Sequence, residues 1–141
     1  MSDPLDALDR PEASHREELW TGRFVLFLRA MAGLSLLKGL YHWALIVGVG
    51  QGPFSAFETN SAAWQAATMY FAVIDLVAAV GLWLAAAWGG VVWLTATISM
   101  AAIELLFPQV YGGRILVILL ELAILASYFA LAIAAARERP P

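Results

Sequence analysis

AWQAATMYFAVIDLVAAVGLWLAAAW, Ala63–Trp88, carries a single charged side chain, Asp75, in a run that is otherwise apolar, small or neutral. A helix rises about 1.5 Å per residue and a bilayer's hydrocarbon core is about 30 Å thick, so about 20 such residues cross it. Working outward, Phe24–Val49, Gly90–Phe107 and Ile115–Ala136 read the same way. The third of these is near the lower length limit and calls for local thinning of the bilayer or a short span. Each run also holds at least one ionisable group: Lys38 and His42, then Asp75, then Glu104, then Glu121. Inserting such a group costs about 2.5–3.5 kcal/mol, so it ordinarily faces a protein interior or a partner. The fold class expected is an all-α membrane protein, an antiparallel four-helix transmembrane bundle.

Composition agrees. Of the 141 residues, 62% are hydrophobic, against about 45–50% in a soluble domain. Arg10, Arg16 and Arg23 precede the first span, and Arg137 and Arg139 follow the last. The loop Gly50–Ala62 has no Lys or Arg and carries Glu58, and the loop after the third span has only Arg114. The excess of cations on the cytoplasmic side then places both termini in the cytoplasm of a bacterial inner membrane. An even number of spans requires the same. Met1–Arg23 is polar, without the apolar stretch of a secretory signal.

The domain division is a cytoplasmic arm over 1–23, a four-span domain over 24–136 (spans near 24–49, 63–88, 90–107 and 115–136) and a tail over 137–141. Asp9-x-x-Glu12 with Pro11 resembles a helix start, so Pro11–Trp20 reads either as a short interfacial helix or as a disordered arm. Trp88-Gly89-Gly90 reads as a tight turn making a hairpin of the second and third spans. Gly52-Pro53 opens the longest loop, Pro108 ends the third helix, and Gly112-Gly113 leads into the fourth. Trp20, Trp43, Trp64 and Trp88 fall where indoles anchor at headgroups. Ser35-x-x-x-Gly39, and Ala72 with Asp75 and Ala79, offer small faces for helix packing.

Depth decides which ionisable groups can meet. From an inner edge at Phe24, Lys38 lies about 21 Å up its helix, and Glu104 about 21 Å above Gly90. Glu121 lies about 20 Å above the same edge, and Asp75 about 16 Å below Trp64. Lys38, Glu104 and Glu121 are thus expected in one layer with Asp75 a turn deeper, and His42 one turn outward of Lys38 on the same face. Ser35, Thr68, Thr97 and Tyr128 fall on the faces that would complete the network. Lys38 neutralises one carboxylate, leaving the others to protonation, hydrogen bonds, His42, Arg29 or a partner. Arg29 is close enough to the inner edge to snorkel to headgroups.

Without cysteine, disulfides, thiolate catalysis and cysteine-ligated metals are excluded within the chain. A net charge of −3 and no basic run argue against nucleic acid. No phosphate-binding loop, dinucleotide fingerprint, His-Glu-x-x-His or nucleophile elbow occurs, so no enzyme activity and no metal site are expected. His42 is the candidate ligand for a haem or chlorophyll-type pigment. A bis-histidine haem needs a second membrane histidine, however, and His15 lies in the polar arm, so the cofactor expectation is none.

RAMAGLSLLKGLYHWALIVG, Arg29–Gly48, and the Trp64–Gly89 stretch with its Gly81-Leu82-Trp83 resemble the first two spans of an uncharacterised alphaproteobacterial family of small four-helix inner-membrane proteins. Glu104 and Pro108 close the third span comparably, though Ala102-Ile103 stands where such proteins often have a proline. The resemblance implies location and fold, not chemistry. From small size, absent soluble domain and surplus carboxylates, the leading expectation is a non-catalytic accessory or assembly subunit of a larger membrane complex, respiratory or photosynthetic, or of a homo-oligomer. The alternatives are a small oligomeric proton-coupled transporter or channel, and a pigment- or haem-binding protein using His42.

Overall fold

The computed structural model describes the backbone of residues 6–50 and 56–137 and the side chains of 21–50 and 57–137. Among the described residues the regular structure is entirely helical: α1 (Asp6–Val47), α2 (Ala56–Thr59), α3 (Ala62–Trp83), α4 (Ala87–Leu106), α5 (Pro108–Tyr111) and α6 (Ile115–Arg137). Four segments are long and apolar enough to cross a membrane: Thr21–Val47 of α1, then α3, α4 and α6. The chain is accordingly a multi-pass membrane protein by length and composition.

α1 runs unbroken from Asp6 into the first span. No break at Trp20 separates an interfacial helix from it. The proposed Gly52-Pro53 turn, Arg139 and the side chains of His15 and Trp20 lie outside the described residues. α2 and α5, one turn each, had no periodic signature in the sequence.

The hairpin between α3 and α4 is tighter than its glycines suggested. α4 begins at Ala87, so the turn is Leu84–Ala86, with Ala85 in the left-handed region at φ 51°. Gly89 and Gly90 lie inside the first turn of α4. Their role is contact: a Cβ on Gly89 would collide with the Gly81 carbonyl group, and one on Gly90 would sit 2.8 Å from the Tyr128 hydroxyl. At the other end Pro108 opens α5, where its missing N–H costs nothing. Gly112 and Gly113 both have positive φ and deliver the chain to α6. Ser61 caps α3, its hydroxyl accepting from the Trp64 N–H at 3.3 Å.

α3 is the central helix. It packs most extensively against α1, then against α4, while α6 touches α1 and α4 more lightly. Small residues explain the first contact. Gly39 is buried with its Cα facing Leu76, and Ser35, Ala72 and Ala79 are buried on the same faces. Toward the chain termini the helices close on an apolar core of Leu28, Ala32, Ala78, Leu82 and Trp93, with Phe24, Leu125 and Tyr128 against it. α6 is the most apolar span and the least buried: only Glu121 and Ala135 are buried along it.

Candidate functional site

Three spans converge on Lys38. Its Nζ is 3.9 Å from Asp75 Oδ1 on α3 and 3.5 Å from Glu121 Oε1 on α6. One turn along α1, His42 places Nδ1 3.8 Å from Asp75 Oδ2. That same nitrogen is 2.8 Å from the Lys38 carbonyl oxygen. A carbonyl only accepts, so Nδ1 carries the proton and Nε2 is the nitrogen left for any other partner. The imidazole is buried and packed between the Phe71 and Tyr111 rings, at centroid distances of 5.7 and 6.5 Å. A haem or pigment ligand at this position would have to use Nε2. Among the described residues no group of three or more His, Asp or Glu side chains is arranged to hold a metal ion.

The ionisable groups are deep: Asp75 is 1% exposed, Glu104 2% and Glu121 9%. Two of their oxygens, Asp75 Oδ2 and Glu121 Oε2, are buried without a hydrogen-bond partner. Buried carboxylate oxygens seldom go unpartnered, because desolvation is then uncompensated.

Glu104 stands apart from the arrangement expected of it. Its Oε2 accepts the Arg114 backbone N–H at 2.7 Å, at the start of α6. The free N–H groups and partial positive charge of a helix N-terminus suit a carboxylate there. The displacement has a simple cause. α4 begins three residues before Gly90, which carries Glu104 about 4.5 Å farther out than counting from Gly90 implied. Lys38 therefore pairs with Asp75 and Glu121 rather than with Glu104.

A cavity of about 530 Å³ lies between α1, α3, α4, α5 and α6 beside the cluster. Lys38, His42, Glu104 and Glu121 line it, with Ser35 and Thr97 on its wall. Trp93 closes its deep end, and Trp64 and Tyr111 stand near the loops. Thr68, also buried, lies 3.2 Å from the Tyr111 hydroxyl. Burial pushes the Tyr111 pKa above its ordinary value, so the phenol stays neutral and serves as donor and acceptor.

Two supporting residues fall elsewhere. Tyr128 lies in the apolar core, ring to ring with Trp93 at 5.2 Å and Phe24 at 6.0 Å. Arg29 is exposed and sits over the Trp83 ring at 5.5 Å. Sequence reasoning missed Tyr111, Trp93 and Met100 as cavity residues. It also treated Trp43 as a headgroup anchor, whereas its indole N–H donates to the Ala72 carbonyl at 3.0 Å, tying α1 to α3.

No curated protein and no solved structure matches the chain. Residues 22–139 do match one family, which takes in all four spans and every residue of the cluster and cavity, and the chain belongs to that family, DUF6163, a family of unknown function.

Proposed function

We propose that this protein is a small proton-linked carrier, built as an antiparallel four-helix bundle in a bacterial inner membrane with both termini cytoplasmic. The observation that carries this reading is the position of the Lys38–Asp75–Glu121 cluster. It joins three of the four spans and borders a cavity lined from α1, α3, α4, α5 and α6, with the apolar core of Leu28, Ala32, Ala78, Leu82 and Trp93 toward the termini. Charge balance supports it. With Glu104 offset by the α6 N-terminus, Asp75 and Glu121 share one lysine, so the cluster is one positive charge short when fully ionised. A proton supplies that charge without distorting the site. Loss and gain of that proton, with rearrangement of the loosely packed α6, would link protonation to access. Purified protein in liposomes is expected to carry protons down an imposed pH gradient. The flux should disappear in Asp75→Asn and Glu121→Gln while both variants remain folded; unchanged flux in either would end the reading.

An accessory subunit of a larger complex is the second reading, favoured by one observation: α6 is the most apolar span yet buries almost none of its surface within the chain. The polar cluster weighs the other way, since Lys38 and the α6 N-terminus give each carboxylate one partner inside the chain, with Asp75 Oδ2 and Glu121 Oε2 the oxygens left over. Purification from native membranes in mild detergent separates the two, a partner at fixed stoichiometry favouring the subunit.

A further inference from the structure

The carrier reading leaves open what enters the cavity, and the chemistry of its walls narrows the class. We propose that the cavity binds an amphiphilic organic ammonium ion, a protonated amine with an apolar or aromatic body, and that the bound ammonium takes the place of a proton on Glu121. This inference rests on the same cavity being the functional site.

Four observations converge on that class. Glu121 is nine-tenths buried and lines the cavity, and its Oε2, itself closed off from solvent, has no hydrogen-bond partner, so the cavity wall holds an acceptor that lacks a donor. The Lys38 cluster is also short of one positive charge, as Asp75 and Glu121 share one lysine. An N–H-bearing cation supplies donor and charge together, in a charge-assisted hydrogen bond. Beside Glu121 an anion meets no free cation, because Lys38 is already engaged by Asp75 and Glu121, and Arg114, the other cation on the wall, lies two turns of α6 away, about 10 Å along the helix. Finally, about 530 Å³ far exceeds what a proton or inorganic cation requires, and the walls are mainly apolar and aromatic, with Trp93, Trp64, Tyr41 and Tyr111 among them. Aromatic faces attract organic cations and accommodate an apolar body.

The exchange balances. Glu121 carrying a proton plus a free ammonium ion becomes a Glu121 carboxylate hydrogen-bonded to that ammonium, plus one released proton. No covalent bond other than the acid O–H is broken, and the charge of the site is unchanged. Binding and proton release are therefore one event, which gives a carrier its coupling without any further titrating device.

The test uses the full chain in nanodiscs of zwitterionic phosphatidylcholine, with 2-(1-naphthyl)ethylammonium as probe and the matching naphthylethanol as its uncharged counterpart. Binding is read by fluorescence, and proton release by an indicator in weak buffer, each against empty nanodiscs. The ammonium is expected to bind at least about tenfold more tightly than the alcohol, the ratio that one charge-assisted hydrogen bond supplies. About one proton should be released per probe bound. Glu121→Gln should lose both signals with its unfolding temperature retained, and Glu121→Asp should restore part of each. Equal binding of amine and alcohol overturns the proposal, as does ammonium binding to Glu121→Gln at wild-type strength. Ammonium binding and proton release without flux in liposomes would uphold this inference and end carriage. Proton flux without ammonium binding would do the reverse.

Discussion

Lys38 is the residue on which most of the polar chemistry depends, since one ammonium group answers carboxylates from two other helices. Removing it leaves two buried acids without their cation, and breaking a buried pair costs about 3–5 kcal/mol because a charge is stranded. Lys38 is about one-third exposed, which lowers the figure. Lys38→Met is expected to destabilise the protein by about 3 kcal/mol, read by unfolding in mixed micelles. The triple variant Lys38→Met/Asp75→Asn/Glu121→Gln should recover most of that loss, because it removes the stranded charges along with their partner. If Lys38→Met unfolded like the wild type, the ion pairs would be incidental. Much of this cluster was legible in the sequence. The i,i+4 placement of Lys38 and His42 on one face follows from helical geometry alone, and the depth of Glu121 follows from span length. The partner of Glu104 was not legible, because three residues at a helix start decide whether it reaches Lys38 or the backbone of Arg114.

At the scale of elements, glycines separate positions that look alike in sequence. Gly89 and Gly81 let α3 and α4 touch backbone to backbone, whereas a Cβ on Gly33 would meet nothing within 4 Å. Gly39 is intermediate, since an added Cβ would press on the end of the Leu76 side chain, at 2.7 Å, with backbone behind it at 3.3 Å. Gly89→Ala is therefore expected to cost about 2–3 kcal/mol, the scale of overpacking a tight core. Gly39→Ala should cost about 1 kcal/mol. Gly33→Ala should be neutral or stabilise by up to about 1 kcal/mol, through better helix propensity. Unfolding curves of the three variants check the order, and a Gly89→Ala protein as stable as Gly33→Ala would contradict the close approach. The same contrast explains why the hairpin turn was misplaced. Gly-Gly serves a turn through positive φ and a packed helix through its missing Cβ, and the sequence does not say which. Here the turn fell instead on Ala85, a residue with no turn signal. The four spans themselves were legible because bilayer thickness sets their length. α5 was not, since one turn of helix has no period to detect, and Tyr111 went unnoticed with it.

The molecule as a whole has a charge asymmetry that should fix how it lies in a membrane. Arg23 and Arg137 flank the terminal ends of the first and last spans, with Arg10, Arg16 and Arg139 beyond them in the sequence, whereas Gly50–Ala62 carries no cation. Cations near span ends resist translocation, so the termini should stay cytoplasmic and the end bearing α2, α5 and the cavity should face outward. Arg114 is the opposing signal, a single cation at the loop end against several at the other. The absence of native cysteine makes this directly measurable, because any introduced thiol is the one thiol in the protein. Glu58→Cys, exposed on α2, is expected to react with a membrane-impermeant maleimide in intact spheroplasts. Ala136→Cys, exposed at the end of α6, should react only after the membrane is opened. The reverse pattern would turn the cavity toward the cytoplasm. Labelling of both sites in intact spheroplasts would mean that the number of spans is odd. On the carrier reading the outcome also fixes the direction of exchange at Glu121: with the loops outside, the cavity lies nearer the extracytoplasmic side, and the apolar packing around Leu28, Ala78 and Leu82 would be the barrier between it and the cytoplasm.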